Sequence, residues 1–103
     1  MGYELSVSDS AERDLDSIVY YISALLDEDA AATRFLDKVD EAYKQLISNP
    51  YIYSVTDNLR LQSEGYRKIV IGKYILMFTV DEERKCVFVH RFFYGAMDYE
   101  KKI

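Results

Sequence analysis

The amino-acid sequence predicts an α+β domain: an N-terminal strand, an antiparallel helical hairpin packed on a mainly antiparallel sheet, and three C-terminal strands completing that sheet. Three observations carry this expectation. Tyr3–Val7 alternates apolar and polar residues, the period of a half-buried strand. Two stretches that follow repeat apolar residues at three- and four-residue intervals, the period of amphipathic helices. Then Gly65–Phe78 and Val87–Tyr94 form apolar runs broken by turn residues, which reads as three strands and two tight hairpins.

Each element has its own justification. Ser8 or Asp9 offers an N-cap, and Asp9 and Glu12 suit the positive end of a helix dipole. Ala11, Leu15, Ile18, Ile22 and Leu25 make one face of a helix from about Ser10 to Leu26. Asp14 and Asp16 fall off that stripe and are expected in solvent. Asp27-Glu28-Asp29 breaks the pattern. Ala32, Phe35, Leu36, Val39, Ala42, Tyr43, Leu46 and Ile47 then make a second helical face. Asn49-Pro50 ends it, because proline cannot continue a helix and biases its predecessor out of the α region. The short connection makes the two helices an antiparallel pair.

Tyr51–Ser63 has no clean period. Asp57-Asn58 reads as a turn and Leu59-Arg60-Leu61 as a short extended segment. Gly72-Lys73 suits a two-residue hairpin with glycine first, Asp81–Lys85 a second connection, and Gly95 a strand end. Asp98–Ile103 is a charged tail with room for a last helical turn. Tyr74–Phe78 and Phe88-Val89 put apolar side chains on both faces of the sheet. The helices can cover one face. The other is expected to take a partner or to remain an exposed patch, and such patches mark binding sites.

Bulk properties narrow the function classes. The 103 residues make one domain, 1–103, and half of them are hydrophobic, which excludes disorder. Apolar runs are too short for a membrane span, and no secretory signal pattern opens the chain. One cysteine, Cys86, cannot form an internal disulfide, in keeping with a reducing cytoplasm. One cysteine and one histidine argue against structural zinc. No cofactor motif is present. The net charge of −5 argues against tight nucleic-acid binding by the whole surface. Its distribution is uneven. Met1–Thr56 carries four Lys/Arg against eleven Asp/Glu, and Asp57–Ile103 carries nine against seven. The helical half is acidic and the sheet half mildly basic.

Candidate chemistry lies in the sheet half. His90, the only histidine, would need a substrate proton within reach to act as a base, and a lone strand histidine is more often structural. Cys86 beside Lys85 reads as a packed thiol before it reads as a reactive one. Arg67, Lys68, Lys73 and Arg91 make either a phosphate-binding cluster or a solvated edge paired with Glu64, Glu82 or Glu83. Tyr66, Tyr74, Tyr94 and Tyr99 can stack on bases or simply fill an amphipathic core. Strand parity puts Arg67 with Ile69 and Ile71, and leaves open whether Arg67 and Arg91 share a face.

Taken together, these residues resemble the RelE/ParE superfamily, toxins of bacterial type II toxin–antitoxin systems. The resemblance rests on the helical hairpin ending at Pro50, Gly65-Tyr66-Arg67-Lys68-Ile69, Tyr74–Phe78, the acidic turn, and Val87–Tyr94. It implies a cytoplasmic, cofactor-free protein that arrests growth unless a cognate antitoxin binds it, with a toxin–antitoxin heterotetramer among the assemblies it allows. RelE-like members cut mRNA on the translating ribosome with basic residues and, in some, a tyrosine or histidine. ParE-like members poison DNA gyrase and lack that set. Arg67 falls where the nucleases place one lysine. Ile69, Ile75 and the neighbourhood of Gly95 fall where they place other cations. Tyr94 matches the terminal tyrosine of the YoeB-like branch, with Phe93 in place of its histidine. The resemblance therefore leans to the ParE-like branch. Arg67, Arg91 and Tyr94 are the residues on which a ribosome-dependent endoribonuclease would rest, and a non-toxic antitoxin-binding relative is a third reading.

Overall fold

The structure is a computed structural model and describes residues 2–53 and 55–96. The predicted tail at Asp98–Ile103, Tyr99 included, lies outside them. In chain order the elements are β1 (Glu4–Val7), α1 (Asp9–Tyr20) running into a π-helical turn (Tyr21–Leu25), α2 (Asp29–Ser48), a 3₁₀ turn (Pro50–Ile52), α3 (Leu59–Ser63), β2 (Arg67–Ile71), β3 (Tyr74–Asp81) and β4 (Cys86–Tyr94). The sheet order is β1-β4-β3-β2. β1 runs parallel to β4, and the other two pairs are antiparallel. No described helix is long and apolar enough to cross a membrane.

The local devices are those the residues provide. Ser8 caps α1, its Oγ accepting from Ala11 N at 3.0 Å. Gly72 holds φ +60° in the β2–β3 turn, a backbone region that glycine enters without steric cost. Asn49 ends α2 and accepts from Tyr51 N through its side chain.

The main core joins the helices to one sheet face. Ala11, Ile22, Ala32, Phe35, Val39, Ala42 and Leu46 bury against Ile69, Ile71, Leu76, Phe78, Val87, Val89 and Phe92. The step from Val89 to Phe92 breaks strict alternation, and the cause is visible in the register. Phe78 pairs with Val89, but Met77 pairs with Arg91, so His90 is an extra residue in β4. A bulge of this kind shifts the strand's parity by one.

The second face corrects two expectations. Leu59–Ser63 is helical rather than extended, with Asn58 Oδ1 accepting from Leu61 N at 3.0 Å. That single turn places Leu61 over Ile75, Met77 and Phe93, with Tyr66 alongside. The centre of the second face is therefore covered by this chain's own α3 rather than left for a partner. What stays exposed there is peripheral: Val70 at 65% and Leu59 at 79%.

Leu61 is 0% exposed and carries this cover, so Leu61→Ala should cost about 2–5 kcal/mol, as truncating a buried leucine does. Leu59→Ala, two residues away, should change urea-unfolding stability by roughly 0.5 kcal/mol or less.

Candidate functional site

The structure separates the three residues on which nuclease chemistry would rest. Arg67 lies opposite Phe78, on the helix-covered face. Its Nη1 donates to Tyr53 O at 2.6 Å, and its guanidinium sits 5.0 Å from the Tyr51 ring centroid. Arg91 lies opposite Met77, with the second face, 4.9 Å from the Phe93 ring. Tyr94 lies opposite Tyr74. Phe78 and Tyr74 are four residues apart on β3, so Arg67 and Tyr94 stand roughly 13 Å apart along the strands alone.

Arg91 has a partner that the helical pattern hid. Its Nε and Nη2 donate to Asp14 at 2.7 and 3.0 Å, a bidentate pair, and Phe92 N donates to the same carboxylate at 3.0 Å. Asp14 was expected in solvent, but its side chain is only 18% exposed. It is off the apolar stripe of α1, yet it faces the edge of β4 beyond the end of β1. The signal that could have found it is an acid on α1 opposite a strand edge that lacks a strand partner.

Arg67 belongs to a second network. Tyr3 and Tyr51 hydroxyls donate to the Glu82 carboxylate at 3.0 and 2.5 Å, and Lys85 Nζ donates to it as well. These bonds, Lys85 first, hold the Glu82 carboxyl down at about 2. The bond to Glu82 likewise pushes the Tyr51 hydroxyl up to about 12. With Arg67 stacked on Tyr51, this cluster ties the 3₁₀ turn to β2 and the β3–β4 turn.

His90, the bulge residue, is half-buried. Its Nε2 lies 2.8 Å from Thr79 Oγ1, and its ring packs edge-on against Tyr66 at 5.2 Å. Burial lowers its pKa from the usual 6.5. Burial of the Cys86 thiol, with Glu4 and Asp81 nearby, raises its pKa, so it is the packed thiol that the sequence favoured. Among the described residues no group of three or more His, Cys, Asp or Glu could hold a metal ion.

An apolar concavity lies elsewhere, between the helices and the β2–β3 hairpin. It is a groove of about 640 Å³. Ile18, Tyr21, Ile22 and Leu26 form one wall, Ala31, Arg34, Phe35 and Lys38 of α2 another, and Ile71–Tyr74 with Tyr94 the third. The π-helical turn shapes the first wall. One residue more per turn changes which side chains of this segment face the sheet. Tyr21 and Leu26 line it with 46% of each exposed, and Tyr94 reaches it with 47% of its surface free. Tyr94, Tyr74 and Phe35 stack edge-on in a row, at 5.8 and 5.2 Å. An apolar floor with cations on its rim is suited to binding an amphipathic segment, and it brings no nucleophile and base together.

Solved structures share this architecture. The RelBE2 toxin–antitoxin complex of Mycobacterium tuberculosis contains a chain with TM-score 0.61 and 20% identity, covering 91% of this chain and 99% of that one. The chromosomal ParDE system of P. aeruginosa contains one with TM-score 0.67 and 18% identity, covering 89% and 95%. The fold is thus that of the RelE/ParE toxins. No curated protein sequence matches. The family model for the ParE toxin of type II toxin–antitoxin systems matches residues 5–99, and the chain belongs to that family.

Two outcomes follow from the geometry. Asp14→Ala removes the acceptor of Phe92 N–H and the partner of Arg91, and should cost about 1–3 kcal/mol in chemical denaturation, against little for Asp16→Ala. For His90, a folded-state pKa below 6.5 means that the unfolded chain binds the proton more readily. Its contribution is complete above that usual value and is lost as pH falls from there towards the folded-state pKa. Unfolding curves between pH 7.5 and 5 should show this loss, and His90→Gln should flatten it.

Proposed function

We propose that this ParE-family toxin is a cytoplasmic growth inhibitor that acts by binding DNA gyrase, breaks no bond itself, and is neutralised by a cognate antitoxin. The observation that carries this reading is the dispersal of Arg67, Arg91 and Tyr94. A metal-free nuclease needs cations and a proton-transfer group converging on one scissile phosphate. Here Arg67 is engaged by Tyr53 and Tyr51, Arg91 is consumed by Asp14, and Tyr94 stands at the opposite end of the sheet from Arg67. Ile69, which falls where the nucleases carry a second lysine, is buried in the main core.

The antitoxin reading is supported by the family and by the nature of the two similar structures, both toxin–antitoxin systems. It is also supported by the groove. Half-exposed Tyr21, Leu26 and Tyr94 line it, and such apolar surface in a concavity suits a partner segment. An antitoxin seated there would leave Arg67 and the Glu82 cluster uncovered.

Induction of the chain in growing bacteria separates the activities. The expected result is arrest with gyrase-linked DNA breaks, an SOS response and intact mRNA, relieved by co-expressing the antitoxin. Codon-phased mRNA ends without DNA breaks would instead establish ribosome-dependent cleavage. Antitoxin binding with no arrest would mark a non-toxic relative.

A further inference from the structure

The cover of the second face is attached differently from the rest of the fold. Of residues 57–65, Leu61 alone is buried; Asn58 is half-buried and the other seven are exposed. Beneath Leu61 lie Ile75, Met77 and Phe93, at 7%, 0% and 4% exposure. The loop is organised by its own groups. Asn58 caps α3 through Leu61 N, Gln62 Nε2 donates to Thr56 O at 3.2 Å, and Gly65 N donates to Gln62 O at 3.0 Å. A compact loop with adjoining ends and its own internal packing forms one body. The ends here do adjoin, since Thr56 N donates to Tyr66 O at 3.4 Å. Both ends are fixed from outside the loop. Val55 bridges Arg67, whose Nη1 donates to Tyr53 O and whose guanidinium stacks on Tyr51. Tyr51 is bonded in turn to Glu82, and the Tyr66 ring packs against His90. Gly65 holds φ +85° at the junction with Tyr66, with open space where a Cβ would stand.

We propose that residues 57–65 are a hinged lid: they swing as a unit about Thr56 and Gly65 while the sheet and the long helices stay folded, and so uncover Ile75, Met77 and Phe93. The inference is independent of the target that the toxin engages. One apolar anchor, Leu61, holds the lid shut. A five-residue helix is far too short to persist without its packing, so helix and anchor are released together. The helix-side core lies on the other face of the sheet and loses nothing when the lid moves. A segment with little buried apolar surface and exposed backbone bonds opens at a fraction of the free energy of global unfolding. Arg67 has a positioning role in this device. By holding Tyr53 and Val55 against the start of β2, it keeps the base still and confines the motion to what lies beyond Thr56. The second face is then an apolar surface that is shut at rest, whereas the groove is open at rest.

The test compares two neighbours on β3 that are both 0% exposed and face opposite sides, Met77 beneath the lid and Leu76 in the helix-side core. In the full chain carrying Cys86→Ser, so that one thiol is present, Met77→Cys and Leu76→Cys are each treated with a small aromatic disulfide reagent. Met77→Cys should react roughly 30-fold or more faster than Leu76→Cys. Its rate should change by less than about twofold in urea below the unfolding transition, while that of Leu76→Cys climbs with urea, because the lid exposes little surface and global unfolding exposes much. Val39→Ala, in the helix-side core, should speed Leu76→Cys roughly tenfold and leave Met77→Cys within about twofold. Amide exchange of the unsubstituted chain repeats the comparison and decides the matter if a cysteine variant does not fold. The Gly65 and Tyr66 amides should exchange through a urea-insensitive opening, and the Leu76 amide through a urea-sensitive one. Equal rates with equal urea dependence at the two cysteines would overturn the proposal. So would Gly65 and Tyr66 amides that share the urea dependence of Leu76, since the cover would then open only as the whole chain unfolds.

Discussion

The position of everything else depends on how the far half of β4 satisfies its outer edge. β1 pairs with β4 only from Cys86 to Val89. Beyond that, backbone groups of a central strand face outward without a strand partner, and buried groups of this kind must be bonded. α1 bonds them. Ser8 N donates to Val89 O, Ser8 Oγ donates to His90 O at 2.8 Å, and Asp14 accepts from Phe92 N. Ser8 thus caps α1 and fixes its start to the sheet in one residue. Asp14 fixes it again two turns on. With α1 held along that edge, the π-helical turn, α2 and the groove fall where they do.

The bulge at His90 is the second constraint, and it divides the sheet's chemistry. By adding one residue to β4 it keeps Val87, Val89 and Phe92 all in the helix-side core, and it sends Arg91 and Phe93 to the other face. Arg67, two strands across, stays on the helix side. Two arginines that a linear reading could place together are thereby parted by the sheet itself. One residue of register decides between a convergent cationic site and two structural clamps.

The element order was legible because each long element carries its own period. The strand at Tyr3–Val7, the stripes of α1 and α2, and the glycine-marked hairpins need no tertiary information. α3 was not legible, since a five-residue helix completes little more than one turn, and Leu59-Arg60-Leu61 alternates like a strand. Asp14 was misread because the stripe argument weighs a helix against a core and ignores a neighbouring strand edge. The face of Arg91 was unreadable because nothing in Cys86–Tyr94 announces a bulge at His90. The groove was missed for a similar reason: its walls come from three distant segments, and one of them leaves α-helical register at Tyr21. The family resemblance was legible because it depends on order and spacing, which survive these local departures.

The outer edge of β2 has one more implication. Among the described residues it ends the sheet, is bridged at Arg67 by Val55, and carries a well-exposed Val70 near its other end. An uncovered strand edge templates pairing with other chains, and natural proteins blunt such edges with cations in the strand. Arg67 and Lys68 are placed to do this here. Two residues first weighed as phosphate ligands thus have a second use in colloidal terms: charge at an open sheet margin disfavours strand-to-strand pairing with other chains.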